Sequence, residues 1–294
     1  MVLAAFTGFV VLAGANAIAV KVTLEELPPF WSAAIRFAAA GLLLLGLMIS
    51  QGRARPRGDR LLGTVLYGVF AFGLAYFFLY QALRDAPAGT TMLMLAVVPL
   101  LTALLAVAHG IERLRMLGLV GAGLACLGVL VVSADQLSLD VPLLALAMLG
   151  AAAVCQAESV VVVKRLPPGD PVAANALGML IGAMMLGLAG FAGGEVLVVP
   201  ERMATWVGLA YLIGPGSIGV FLLALYVLAR WTASATSYAF LLFPLVAIAL
   251  GAVLLGEPVQ PAFLAGGAIV LAGVYVGAVY RPRTPATAQA SAEA

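Results

Sequence analysis

The chain has 294 residues, of which 64% are hydrophobic and only 10% are charged, and its mean hydropathy is +1.14. No soluble domain of this length can bury so much apolar surface, so the composition excludes a soluble protein and makes the lipid bilayer the solvent. A formal net charge of +2 gives no basis for nucleic-acid binding. Both cysteines, Cys126 and Cys155, lie within apolar runs, which argues against a disulfide framework.

Ten apolar segments follow one another along the chain, separated by charges, prolines and glycine clusters. Each is close to the ~20 residues that a helix needs to cross a bilayer, and the short connections predict antiparallel hairpins. The predicted fold is therefore an all-α polytopic membrane protein with ten transmembrane helices. The predicted spans are 3–20, 29–50, 61–83, 87–108, 114–134, 142–163, 171–193, 204–229, 234–256 and 260–280.

The basic residues are distributed unevenly between the two ends of this predicted bundle. Eleven of the 15 lysines and arginines fall at the C-terminus or in the connections that follow the second, fourth, sixth and eighth helices. Because positive charge is retained on the cytoplasmic side, both termini are predicted to be cytoplasmic, in a cell inner (plasma) membrane. Residues 281–294 (RPRTPATAQASAEA) are predicted to form a disordered cytoplasmic tail.

The second half of the chain repeats the first. Pro28 recurs as Pro171 after 143 residues, and Pro99 recurs as Pro244 after 145 residues. Further pairs at these two spacings are Lys21 with Lys164, Glu112 with Glu257, Gly121 with Gly266 and Gly128 with Gly273. A two-residue insertion near the 193–203 connection reconciles the two spacings.

Residues 1–140 and 141–280 are therefore predicted to be two repeats of five helices each. Because five is odd, the second repeat must cross the membrane in the opposite sense to the first. Two inverted repeats are the architecture of many secondary transporters, whose substrate site lies near the midplane where the repeats meet.

Several segments also resemble a known family. They are GANAIAVK, YQALRDAPAGTTMLMLAVVPL, FPLVAIALGAVLLGEPV and GGAIVLAGVYVG. Over nearly the whole chain, their order and doubling resemble the EamA-type transporters of the drug/metabolite transporter (DMT) superfamily. The resemblance implies a ten-helix carrier of small metabolites or drugs, often an exporter. We expect this carrier to work by alternating access, with no cofactor, and to export amino acids or other metabolites. Coupling to protons is a further expectation, and it depends on Glu158.

Glu158 is the only charged residue within the predicted helix 142–163. A carboxylate at lipid depth costs at least ~2.5 kcal/mol on insertion scales, so Glu158 is expected to face a cavity or the protein interior. The repeat pairs Glu158 and Ser159 with Ala15 and Asn16. The first helices of the two repeats therefore carry polar side chains at the same depth in the membrane. Small multidrug-resistance members of the superfamily resemble this arrangement, with one glutamate that exchanges protons for cationic drugs. A structural, hydrogen-bonded Glu158 remains the alternative.

Five further polar or aromatic residues are candidates for substrate contact. Asn16 and Gln156 are neutral polar residues at lipid depth, where interhelical hydrogen bonding is the alternative to ligand binding. Arg36 could bind a substrate carboxylate or extend its side chain to the membrane surface. Tyr80 and Tyr238 lie near predicted helix ends, where an interfacial aromatic belt is the alternative.

Helix breaks supply candidate gating positions. Pro99 and Pro244 occupy matched positions within helices, and each removes one backbone hydrogen bond. Gly214, Pro215 and Gly216 are predicted to interrupt the eighth helix. Such breaks suit a backbone that moves or lines a cavity.

Enzyme signatures are absent from the sequence: His109 is the only histidine, and no zinc motif, phosphate loop or nucleophile elbow occurs. The predicted function is secondary-active transport of a small-molecule substrate across the lipid bilayer. An intramembrane enzyme and a non-transporting membrane scaffold are the competing classes. Gly273-x-x-x-Gly277 predicts close helix packing, either within the monomer or in a homodimer.

Overall fold

The structure of the protein is a computed structural model that describes residues 1–86, 88–134, 141–255 and 261–279. Most of these residues are helical, and no β-strand occurs among them. Within the described ranges, ten helices are long and apolar enough to cross a membrane. The predicted tail at 281–294 lies outside the described residues.

The ten helices are numbered α1 to α10 in chain order. They are Val2–Thr23, Pro29–Ser50, Asp59–Ala82, Thr90–Ala108, Met116–Ser133, Leu143–Arg165, Pro171–Ala192, Met203–Leu228, Ala233–Val253 and Pro261–Ala278. Each end lies within three residues of the predicted boundary. The agreement follows from bilayer thickness, which limits the length of an apolar helix and places charges and turn residues outside it. The all-helical membrane fold is confirmed.

Polar residues outside the membrane fix the start of α7. The Asp170 carboxylate accepts hydrogen bonds from the backbone N–H groups of Val172 at 2.9 Å and Ala173 at 3.0 Å, which are otherwise unpaired in the first turn. Arg53 Nη1 lies 2.7 Å from the other carboxylate oxygen. Partial burial opposes ionisation, but these hydrogen bonds together with Arg53 hold the pKa of Asp170 below its usual range. The contact ties the α2–α3 connection to the α7 start.

Two helix pairs make the most extensive contacts in the bundle: α2 with α7, and α5 with α10. The α5–α10 contact is close because glycines face each other. A Cβ added to Gly121 would lie 2.6 Å from Gly273 O, closer than such atoms approach in proteins. Gly277 also faces Gly121, so the Gly273-x-x-x-Gly277 motif packs within the chain. It therefore gives no support to the predicted homodimer.

The other helix contacts follow the repeat spacing. α1 packs against α8 and α9, and its partner in the repeat, α6, packs against α3 and α4. α3 and α8 share a further feature, because each contains a π-helical segment, Gly68–Leu74 in α3 and Gly214–Gly219 in α8. The first and second halves of the chain therefore use the same helices for the same contacts.

The helix breaks only partly follow the prolines. α4 consists of Ala88–Leu95 and Val98–Ala108, and Pro99 lies in the first turn of the second segment, where a missing N–H is tolerated. α9 is divided at Tyr238, and Pro244 lies inside its longer segment. Pro99 therefore coincides with a break, whereas Pro244 does not.

Gly214, Pro215 and Gly216 do not interrupt α8. They begin its π-helical segment, which continues directly into the α-helix Val220–Leu228. The expected break is therefore a widened turn. Such a turn leaves backbone carbonyls free to bind side chains of neighbouring helices.

Candidate substrate cavity

A cavity of about 590 Å³ lies between the two halves of the chain, lined by α1, α2, α3, α4, α6, α8 and α9. Its volume falls within the range of small-molecule sites. The lining follows the repeat, since matched residues face the cavity from both halves. Examples are Asn16 with Ser159, Tyr76 with Phe221 and Thr91 with Thr236.

The first helix of each repeat presents the same face to the cavity. On α1 this face includes Ala13, Asn16 and Ala17, and on α6 it includes Gln156, Ser159 and Val160. Asn16 Nδ2 donates to Gly216 O at 3.0 Å, and Ser159 Oγ donates to Gln156 O at 2.7 Å. Asn16 and Gln156, both predicted from the sequence, therefore line the cavity.

Glu158 is not among the residues that line the cavity. Successive helix residues point about 100° apart, so the face that carries Gln156 and Ser159 turns Glu158 away from the cavity. Ala15, its partner in the repeat, is likewise absent from the lining. The repeat register therefore identifies Ser159, rather than Glu158, as the partner of Asn16 across the cavity.

Glu158 contacts His109 at the end of α4. Glu158 Oε1 lies 3.2 Å from His109 Nε2, and the carboxylate side chain is 16% exposed. His109 Nδ1 lies 2.9 Å from Leu105 O, which can only accept a hydrogen bond. Nδ1 must therefore carry a proton, and the second contact needs a proton on either Nε2 or Glu158. The two side chains are therefore within hydrogen-bonding distance of each other, in a site beside the cavity.

Arg36 lies inside the bundle and lines the cavity. It is 1% exposed, so it does not extend to the membrane surface. Its Nε donates to Ser217 Oγ at 2.8 Å, and its Nη2 donates to Tyr76 OH at 3.3 Å and to Gly216 O at 3.4 Å. The guanidinium also lies over the rings of Phe37 and Tyr76, at 4.6 and 5.4 Å from their centroids.

The π-helical segment of α8 makes this arrangement possible. It leaves the Gly216 carbonyl free to accept from both Arg36 and Asn16. A Cβ at Gly216 would overlap Asn16 Oδ1, so only glycine allows α1 to approach this closely. The sequence predicted a break here, but it did not indicate that the break would bind Arg36 and Asn16.

Tyr80 and Tyr238 have different locations. Tyr80 lines the cavity and is 2% exposed. Tyr238 packs between α5 and α10, where its hydroxyl donates to Gly118 O at 2.5 Å, and it is not part of the lining. Pro244 lines the cavity, whereas Pro99 is buried outside the lining.

The two ends of the cavity differ in exposure. The end that carries the N-terminus and the connections after α2, α4, α6 and α8 is called the basic end, and the other is called the opposite end. Leu228 and Thr236 line the cavity near the basic end and are buried, each 4% exposed. Lys21 lines it near the opposite end and is exposed. Among the described residues, the lining at the basic end is therefore buried, whereas the lining at the opposite end includes the exposed Lys21 beside the buried Tyr80 and Thr91.

Helix contacts explain this asymmetry. At the basic end, the first segment of α9, Ala233–Ser237, packs against the second half of α4 and against α6. The matching arrangement at the opposite end would pack the first segment of α4, Ala88–Leu95, against α1. That segment instead packs mainly against α5 and α6 and only slightly against the second part of α9, so the described residues form no equivalent closure at the opposite end.

Glu112 stabilises the closed basic end through hydrogen bonds. Its Oε1 accepts from the backbone N–H groups of Ala233 at 2.6 Å and Ser234 at 3.2 Å, and its Oε2 accepts from Ser234 Oγ at 2.6 Å. Three hydrogen bonds to one carboxylate connect the α4–α5 connection to the start of α9. The corresponding residue, Glu257, lies outside the described residues. Sequence reasoning noted Glu112 as a repeat marker and missed this contact.

Comparison with known proteins identifies the family. A model described as the EamA-like transporter family matches residues 1–134 and 143–278. The chain belongs to the EamA-like transporter family. The match spans nearly all ten helices, so the resemblance noted in the sequence to EamA-type transporters of the DMT superfamily is confirmed.

Two relatives of this EamA-like chain carry transporter names. It is 30% identical over 267 residues to the Escherichia coli K12 protein named "Uncharacterized inner membrane transporter YedA", covering 90% of this chain and 86% of the relative. It is 28% identical over 299 residues to the Salmonella typhimurium LT2 protein named "Probable amino-acid metabolite efflux pump", covering 96% of both. The chain is thus a multi-pass inner-membrane transporter.

A solved crystal structure has the same fold as the EamA-like chain. The two superpose with a TM-score of 0.80 over 95% of this chain and 98% of the other, at 22% sequence identity. At that identity the comparison concerns the fold alone. Substrate and mechanism must be argued from the residues of the cavity.

Proposed function

We propose that this EamA-like transporter is a secondary-active carrier that moves a small organic solute through the central cavity by alternating access. The observation that carries the proposal is the asymmetry of the helix contacts among the described residues: the first segment of α9 covers the basic end of the cavity, and the first segment of α4 makes no matching contact with α1 at the opposite end. A carrier built from two inverted repeats can exchange the conformations of its halves, which transfers the closure from one end to the other.

The proposed movement is an exchange of roles between α4 and α9. In the present conformation the first segment of α9 closes the basic end. In the alternate conformation, the first segment of α4 would pack against α1 and close the opposite end. The break in α4 before Pro99 and the break in α9 at Tyr238 separate these first segments from the rest of their helices. Each segment can therefore tilt independently.

Export is the proposed direction. The positive-inside rule assigns the basic end to the cytoplasm, so the covered end of the cavity in this conformation faces the cytoplasm. The name of the Salmonella relative, an amino-acid metabolite efflux pump, supports the same direction. An intramembrane enzyme would need a reactive constellation. Within the described residues, no cluster of three or more potential metal ligands occurs.

Transport is tested with the purified protein in liposomes. Vesicles are loaded with a mixture of amino acids and other small metabolites, and mass spectrometry follows the solutes that leave them. We expect protein-dependent efflux of a subset of the mixture, with saturable kinetics. A variant with Ala17→Trp, which fills the cavity from α1, is expected to lose at least 90% of that flux. Retained flux in this variant would contradict transport through the cavity.

Membrane orientation is tested by labelling single cysteines, with Cys126 and Cys155 replaced by alanine. Gln51 and Leu197 are exposed residues in connections at the two ends of the bundle. We expect an impermeant thiol reagent to label Leu197→Cys in intact cells and to label Gln51→Cys only after permeabilisation. Labelling of both sites from one side would contradict the inverted arrangement of the repeats.

We also propose that transport is coupled to protons through the Glu158–His109 pair. The support is the 3.2 Å contact between His109 Nε2 and Glu158 Oε1, a geometry in which the two side chains can hold one proton between them, in a partly exposed site at the closed end. Cys155, one turn away on α6, is a further titratable group beside Glu158. Opening of the basic end would separate α4 from α6 and change the access of water to this proton. The pair acts on closure, since it does not line the cavity.

A further inference from the structure

Arg36 has no acidic partner among the described residues. Its contacts with described residues are all with neutral groups: the hydroxyl of Ser217, the phenol of Tyr76, the carbonyl of Gly216 and two aromatic rings. None of the ion pairs between described residues includes it. A guanidinium cannot lose its charge by deprotonation in a protein. The cavity therefore contains a permanent positive charge that neutral dipoles only partly compensate.

The guanidinium still has hydrogen-bonding capacity directed to a ligand. Nε and Nη2 are used by protein acceptors, whereas the two N–H groups of Nη1 have no acceptor among the described residues. Ser217 and Gly216 hold the plane of the group in place. A fixed guanidinium with free N–H groups is suited to an oxyanion, which it can bind through charge-assisted hydrogen bonds.

The rest of the cavity lining also favours a negatively charged ligand. Lys21 is the second basic residue of the cavity, and no aspartate or glutamate occurs among the lining residues that the structure describes. The remaining walls are largely apolar and aromatic, with Phe221, Phe240 and Phe243 on the side of α8 and α9. A lipophilic cation would meet the guanidinium of Arg36 and no carboxylate among the described lining residues. A solute with one negative charge and an apolar body would be complemented by Arg36 and these walls.

We infer that the cavity recognises its substrate through a carboxylate bound by Arg36, so that the carrier selects anionic or zwitterionic solutes with an apolar body over lipophilic cations. The inference rests on the proposed carrier function and specifies the substrate class of the same cavity. A carboxylate fits better than a phosphate ester, because one guanidinium balances one negative charge and a phosphate carries nearly two. Met179 is the repeat partner of Arg36 and is buried at the matching position in α7. The fold therefore does not require a positive charge at the position of Arg36.

Two sets of three matched compounds test the inference in the wild-type protein. Phenylalanine carries both charged groups, 3-phenylpropionate lacks the amine, and phenethylamine lacks the carboxylate. Leucine, 4-methylpentanoate and 3-methylbutylamine form a second set with a branched body. Efflux of each compound from liposomes is measured against protein-free vesicles, together with efflux of a broad metabolite mixture. We expect protein-dependent flux of at least one carboxylate-bearing compound and at least tenfold less flux of its amine.

The outcomes separate this inference from the carrier function. Preferential flux of the amines would overturn the substrate class and leave the carrier function intact. The same holds if none of the carboxylate-bearing compounds is transported while other members of the mixture leave the vesicles. If nothing leaves the vesicles, both the carrier function and the substrate class fail.

Substitution of Arg36 supplies an independent readout. Arg36→Met should lower the flux of the preferred carboxylate at least tenfold and abolish the rise in melting temperature that this compound causes in the wild type. Arg36→Lys keeps the positive charge but loses the planar guanidinium that can bind both carboxylate oxygens. This variant should therefore retain part of the flux and part of the ligand-induced rise in melting temperature. Arg230→Met removes an exposed charge outside the cavity and serves as the control. Unchanged flux and an unchanged ligand-induced melting shift in Arg36→Met would overturn the inference. If Arg36→Met does not fold, the comparison of the six compounds in the wild type decides.

Discussion

Replacement of Glu112 by glutamine is expected to open the basic end of the cavity. The carboxylate accepts three hydrogen bonds from Ala233 and Ser234, and the neutral amide can accept through only one oxygen and without charge assistance. A loss of about 2 kcal/mol in the closed state shifts a two-state equilibrium by roughly 30-fold. The alternate conformation should therefore become populated, and net transport should fall because one end no longer closes firmly.

The shift is measured with a reporter in the cavity. Ala17 is exposed and lines the cavity, so Ala17→Cys, with both native cysteines replaced, reports access from each side of the membrane. With Glu112→Gln, labelling from the opposite end should decrease and labelling from the basic end should increase. Ser234→Ala should cause a smaller change in the same direction. Glu201→Gln, an exposed carboxylate at the opposite end, is the control. Identical labelling in Glu112→Gln and the wild type would contradict a role in closure.

Replacement of Glu158 by glutamine is expected to uncouple transport from the proton gradient. Glutamine keeps the size of the side chain and a contact with His109 Nε2, but it cannot exchange a proton. Substrate exchange across the membrane should therefore continue at a rate close to that of the wild type. Accumulation driven by a pH gradient should fall at least tenfold, because the cycle no longer moves a proton.

Two further variants sharpen this result. His109→Gln removes the other partner of the shared proton, so it should produce the same loss of gradient-driven accumulation. Combining it with Glu158→Gln should add little, since the two residues act as one unit. Normal accumulation in Glu158→Gln would contradict proton coupling through this pair. Loss of both exchange and accumulation would instead indicate a structural role.

The membrane fold could be predicted from the sequence because the bilayer imposes simple requirements. A helix must be about 20 residues long to span the hydrocarbon region, and charged residues must lie outside it or inside the bundle. These rules placed all ten helices to within three residues. The pairing of Asn16 with Ser159 was likewise available from the repeat spacing, and both residues line the cavity.

The direction of individual side chains was harder to predict. Glu158 was expected in the cavity because it is costly in lipid, but that cost is met equally well by a contact with His109. Hydropathy shows that a polar residue must be inside the bundle, and it does not show which neighbour the residue faces. The repeat could have corrected this expectation. Ala15, the partner of Glu158, is an apolar residue, and neither of the two lies on the helix face of α1 or α6 that lines the cavity.

The sequence by itself determined the number of helices, their approximate bounds, the membrane location and the family. Hydropathy and repeat spacing can be obtained from the order of residues alone, without knowledge of which residues are in contact. Tertiary structure alone decided which end of the cavity is closed and what surrounds Arg36. Both depend on contacts between residues far apart in sequence, such as Glu112 with Ser234 and Arg36 with Ser217. Two repeats of similar sequence can adopt either of two matching arrangements, and only the packing of α4 and α9 distinguishes them.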